Sequence, residues 1–217
     1  MKNILYVLLL FSLAFCESKK QSNVVGTETT ASNELMPLKK GNQWSYKSIN
    51  FHYPTTVKVV EENIYLNGKK YFKLETTEIH QSTAKNSDGT FNQKTNDTSR
   101  IVKIEYLRAD ECYYYTYDVI SNKEGIFLPK KIEQNQKWLA GDSVYSSTLV
   151  NIDSTLKTPN DRYHDLVCIK VNKYSVDKSI NLMTFYAYYK KGLGLVGITY
   201  GVEEKVAPYY LDEALIN

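Results

Sequence analysis

The stretch ENIYLNGKKYFKLETTEI constrains the fold more than any other part of this chain. Asn67-Gly68 stands there between two runs rich in Tyr, Ile, Leu and Thr. Both central residues of a type I′ turn need positive φ, which Asn and Gly tolerate, so the segment reads as a β-hairpin. The same style continues towards the C-terminus. Nineteen tyrosines, with many Thr, Val and Ile, favour half-buried pleated surface over helix. Residues 100–107 and 112–120 are expected to pair around Arg108-Ala109-Asp110-Glu111. Residues 138–152, 165–174, 182–190 and 195–203 read as further strands, with Lys191-Gly192-Leu193-Gly194 as a turn. Only residues 209–216 hint at helix. Consecutive strands on short turns imply an antiparallel meander. About ten strands in one twisted sheet curl or close. The expected class is therefore all-β, a strongly curved antiparallel meander, half-barrel or sandwich-like.

A second feature is an approximate repeat. PLKKGNQW runs from Pro37 to Trp44, and PKKIEQNQKW from Pro129 to Trp138. Proline cannot donate to a ladder and so belongs just outside a strand. Gly41-Asn42 and Asn135-Gln136 are turn-prone. Trp44 and Trp138, the only tryptophans, can then anchor the start of each strand set. Two similar halves are expected, residues 35–124 and 125–203, followed by a short tail, 204–217. The alternative is coincidence between two Lys-rich turns. LMPLKKGNQWSY, together with Cys168-Ile169-Lys170-Val171 and the run Tyr189 to Val196 (YKKGLGLV), resembles the TapB-like group of exported bacterial proteins of unknown function. That resemblance implies an all-β exported module, frequently a lipoprotein, without established catalytic residues.

The N-terminus speaks to compartment. Lys2 precedes the apolar run Ile4 to Phe15. It is too short to span a bilayer, which takes ~20 apolar residues, and it fits an export signal over residues 1–15. Leu13-Ala14-Phe15-Cys16 resembles a bacterial lipobox, which would place a lipid on Cys16. Ser12-Leu13-Ala14 would equally suit an ordinary signal peptidase. Residues 16–34 then comprise the lipidated cysteine and a polar, aperiodic tether, whose random-coil span is roughly 23 Å. The expectation is a membrane-anchored lipoprotein of the bacterial cell envelope, at the outer membrane.

Charge and motifs bear on chemistry mainly by exclusion. A net charge of +3, with signs interspersed, gives no reason to expect a nucleic-acid partner. His52, His80 and His164 lie in no zinc-ligand spacing, so no metal is expected. No GxSxG occurs. The run from Gly192 to Gly197 lacks the following helix that lets a glycine loop bind phosphate, and reads as a hairpin turn. The loop from Asp88 to Asp97 lacks the spacing of a calcium loop. No cofactor is expected. Cys112 and Cys168 could bridge in an oxidising compartment, but each sits in a strand-like run where a thiol packs as a small hydrophobe.

Tyrosine is the one positive signal. Tyr113, Tyr115, Tyr117 and Val119 share one strand face, while Cys112, Tyr114, Thr116 and Asp118 share the other. Tyr186, Tyr188 and Tyr189 add a second aromatic strand. Such faces suit stacking on a glycan, an apolar ligand or a protein, or else they are core and ordinary cross-strand pairs. Tyr115, Tyr117, Tyr186 and Tyr188 are the candidate binding residues, on a concave sheet face. The expected role is a non-enzymatic binding or structural module in the envelope. Its partners would be the membrane through its lipid, and an apolar ligand, a glycan or an envelope protein. One alternative is a LolA-like carrier holding a lipid in its concavity. Another is an envelope hydrolase built on His164 with Asp161 and Asp165.

Overall fold

Alternation of this kind leaves the chain no way to bury itself except by pairing strand on strand, and among the described residues twelve strands do so. The computed structural model describes residues 34–49, 54–81, 98–140, 144–201 and 206–217. The strands are β1 (Gln43–Ser48), β2 (Thr55–Leu66), β3 (Lys69–Gln81), β4 (Thr98–Ala109), β5 (Tyr113–Asp118), β6 (Lys123–Pro129), β7 (Lys137–Ala140), β8 (Tyr145–Lys157), β9 (Arg162–Tyr174), β10 (Asn181–Lys190), β11 (Gly194–Thr199) and β12 (Tyr209–Leu215). No helix occurs among the described residues. Every pairing is antiparallel. Residues 209–216, which hinted at helix, form β12 instead, because pairing with β1 and β11 outweighs a weak local propensity. The export signal, Cys16, residues 17–33, His52 and the loop from Asp88 to Asp97 lie outside the described residues.

Hydrogen-bonded neighbours run β6-β5-β4-β3-β2-β1-β12-β11-β10-β9-β8-β7. The row curls until its ends, β6 and β7, lie side by side without a ladder between them. The result is a nearly closed barrel with one seam. Trp138 bridges that seam, its indole Nε1 donating to the Phe127 carbonyl at 3.1 Å. Trp44, 2 % exposed, donates in the same manner to the Leu193 carbonyl at the β10–β11 turn. Gly194 is left-handed there, and a Cβ on it would stand 3.1 Å from Trp44 Nε1.

The proline-to-tryptophan repeat is also a repeat of structure. Asn42 N donates to the Lys39 carbonyl, and Gln136 N to the Glu133 carbonyl, closing a tight turn before each tryptophan strand. Gly41 takes positive φ in the first turn and Asn135 in the second, so asparagine does the job of the glycine. From the turn onward the copies are in register, and the extra residues of the second copy fall before Glu133. The carbonyls of Asn42 and Gln136 then accept from Val59 N and Leu149 N on the following strands. Bulges recur as well. On β2 the register shifts between Val59 and Glu61 and again before Ile64; on β8 it shifts between Leu149 and Asn151 and again before Ser154. Two six-stranded halves thus stand side by side, β1–β6 and β7–β12. The division falls after β6 rather than between Glu124 and Gly125, because β6 completes the first half by pairing with β5.

Candidate functional site

Eight strands already make a barrel just wide enough for side chains to fill or to hold one small ligand, and the interior widens with strand number. Here one end is stopped by the N-terminal segment. Leu35 is 2 % exposed within the core cluster of Tyr114, Leu128, Trp138 and Tyr189, and Met36 and Leu38 pack beside it. Backbone and side-chain bonds fix this plug: Gly192 N donates to the Glu34 carbonyl, and Met36 N to the Tyr114 hydroxyl at 3.4 Å. Above the plug a cavity of about 540 Å³ remains. Phe127, Leu128, Trp138, Ile169, Val171, Phe185, Ala187 and Leu195 give it an apolar wall. Glu105, Asp118, Ser121 and Lys123 stand where it opens, at the end of the barrel opposite the plug.

Hydroxyl-bearing residues interrupt the apolar wall, namely Thr116, Tyr145, Ser147 and Tyr189. Ser147 is 4 % and Tyr189 7 % exposed. Neither side chain makes a hydrogen bond among the described residues. Burial pushes the Tyr189 hydroxyl well above its usual ionisation range, so it remains a neutral donor. Both hydroxyls are therefore open to the cavity, where a ligand with a matching polar group would pair with them.

The tyrosines singled out from sequence lie elsewhere. Strand alternation puts Tyr114, Thr116 and Asp118 inside, so Tyr115 and Tyr117 lie on the outer face. Likewise Phe185, Ala187 and Tyr189 face the cavity, and Tyr186 and Tyr188 face out. The expected concave aromatic face is therefore convex. Both faces of each strand carry aromatic residues, so composition could not choose between them. Tyr189, Phe185 and Ser147 have the signal of the correct parity, but only the closure of the sheet reveals which parity is inner.

What covers the outer tyrosines is the long hairpin of each half. The β2–β3 hairpin, bent by its bulges, folds over the outer side of β4–β6. Tyr71 donates to Glu124 at 2.8 Å and Lys69 to Glu124 at 2.6 Å, while Asn67 donates to Asn122 at 2.9 Å. Arg108 grips the same carboxylate with two nitrogens, Nη2 at 2.9 Å and Nε, and lies 3.8 Å above the Tyr115 ring. Tyr117 packs against Tyr71 with ring centroids 5.3 Å apart. Burial by itself would raise the Glu124 carboxyl, but the hydrogen bonds from Arg108, Lys69 and Tyr71 overcome it and hold the group at about 2. The β8–β9 hairpin folds over β10–β12 in the same manner, with apolar contacts. Leu156, Leu166, Cys168, Tyr188, Val196, Ala207 and Tyr210 form one buried cluster, with Tyr186 beside it. A Cβ on Gly197 would meet Leu156 Cδ2 at 2.8 Å and the Tyr209 carbonyl at 2.9 Å, so the close approach needs glycine.

Cys112 and Cys168 do not bridge each other; Cys168 is buried in that cluster, and burial raises its ionisation. His164, Asp161 and Asp165 are all exposed about the β8–β9 turn and do not line the cavity. His80 hydrogen-bonds Glu78 at 3.2 Å. Among the described residues, no group of three His, Cys, Asp or Glu side chains is placed to hold a metal.

No family model, curated protein or solved structure matches the chain.

Proposed function

We propose that this protein is a non-catalytic binder or carrier of a small apolar molecule bearing one hydrogen-bonding group, held inside the barrel. The observation that carries the reading is the cavity: its size falls in the range of about 300–1,000 Å³ typical of small-molecule sites, and the hydroxyl-bearing Ser147 and Tyr189 lie in its apolar wall. Apolar surface would drive entry, and the two hydroxyls would select for a polar group. The N-terminal expectations belong to the same proposal. Export through residues 1–15 and a lipid on Cys16 would station the barrel beside a membrane of the cell envelope, where apolar ligands are plentiful.

Native mass spectrometry of the purified protein tests this. We expect a non-covalent adduct of a few hundred daltons, or uptake of a fluorescent fatty acid by the emptied barrel. Ala187→Leu, which fills the cavity, should reduce that uptake at least tenfold while the protein stays folded by circular dichroism. Absence of both adduct and uptake in the wild-type protein would reject the reading.

A further inference from the structure

The open end of the barrel bears a second feature, independent of the cavity's contents. The turn after β5 exposes Val119 by 56 % and Ile120 by 96 %. The turn and strand start between β9 and β10 expose Val176 by 92 %, Ile180 by 59 %, Leu182 by 58 % and Met183 by 46 %. Both belong to the end at which the cavity opens, since β5 and β6 reach it through Asp118, Ser121 and Lys123, and β9 and β10 through Val171 and Phe185.

Side-chain hydrogen bonds brace both tips. Asp118 accepts from Ile120 N at 2.9 Å and from the Ser121 hydroxyl at 2.6 Å. Asp177 accepts from Ser179 Oγ at 2.8 Å and from Ser175 Oγ at 2.5 Å, and Ser175 Oγ accepts from Ile180 N at 3.1 Å. An aspartate-braced turn holds large aliphatic groups out in water in both places, at a standing cost in hydration.

We infer that this rim docks on a lipid bilayer, so that the cavity mouth meets the membrane interface and an apolar ligand crosses without passing through water. The inference rests on the binding role proposed above. Separate aliphatic spikes, with Ser121, Asn122, Lys178 and Ser179 between them, offer little continuous apolar area for a folded protein partner. A fluid interface accommodates such spikes, taking the apolar tips below the headgroups and leaving the polar residues among them. The charges on the two turns, Asp118 with Lys123 and Asp177 with Lys178, cancel. Docking is therefore hydrophobic, works on zwitterionic lipid and is insensitive to salt.

The test uses the full chain with Ile120→Trp, mixed with phosphatidylcholine vesicles whose acyl chains are brominated. Leu215→Trp, at the opposite end of the barrel and 59 % exposed, serves as the control. Trp44 and Trp138 are buried, and the wild-type protein supplies their background. We expect the indole at position 120 to lose at least half its emission, equally in low and high salt, while that at position 215 loses almost none. Equal quenching at both ends, as a lipid tail alone would produce, overturns the inference. So does the absence of quenching at position 120, the result expected if the rim instead meets a protein. Ligand uptake without quenching would spare the binding role, and quenching without uptake would spare the docking role.

Discussion

Each half of the barrel folds its long hairpin over its own outer face, by bulges at matching places, yet the two covers are held down by different chemistry. The first, β2–β3 over β4–β6, closes on a carboxylate: Glu124 gathers Arg108, Lys69 and Tyr71. The second, β8–β9 over β10–β12, closes on Leu156, Leu166, Val196 and Ala207. Tyr71 and Leu166 make the comparison concrete, for each follows the second bulge of its hairpin and each is almost wholly buried. Bulges set where the hairpin bends. They do not dictate what fills the space beneath, so a repeated backbone tolerates either solution. The energetic consequences differ, because ionic contacts depend on pH and geometry whereas apolar packing depends on volume.

The largest effect should come from the apolar cover. Leu166→Ala removes a side chain that is 0 % exposed, and is expected to cost about 2–5 kcal/mol by urea denaturation. It should also speed labelling of the buried Cys168 thiol, which a loss confined to the first half would leave slow. Next is Glu124→Gln, which keeps the shape of the polar cover but removes its charge. A loss of about 1–3 kcal/mol is expected at neutral pH.

That substitution also sharpens the pH comparison. The Glu124 carboxyl sits at about 2 in the fold against an ordinary value of 4.5. Its folded value is depressed, so its contribution is fully present above pH 4.5 and fades as pH falls towards 2. Wild type should lose stability through that window more steeply than Glu124→Gln, and Leu166→Ala should follow the wild-type slope. Parallel slopes for all three would show that the carboxylate does not hold the first cover. The smallest effect is expected of Lys69→Met. Its side chain is 51 % exposed, and an exposed ion pair contributes about 0–1 kcal/mol, less in salt.

Much of the fold could be read in advance. Asn67-Gly68 forms the expected turn, with φ of 48° and 73°, because few residues other than Asn and Gly suit that conformation. Strand runs around Tyr113–Asp118 and Asn181–Lys190 were marked by aromatic and β-branched residues whose propensity agrees with their surroundings. The run 138–152 reads as one strand only if Gly141-Asp142, a turn-prone pair, is passed over; the chain divides there into β7 and β8. The candidate site was harder still. Tyr115, Tyr117, Tyr186 and Tyr188 share a face in the expected manner, yet they serve the two covers rather than the cavity. Periodicity reports which side chains lie together and says nothing of which side becomes the inside.

The chain's own order of residues is enough to make it pleat, turn and repeat, because propensity, alternation and turn chemistry act over a few neighbouring positions. Three matters depended on contacts between residues far apart: that β1 would pair with β12, that a plug at Leu35 would stop one end, and that space would remain above it. Closure is a property of accumulated twist and bulges over twelve strands, and no short stretch contains it.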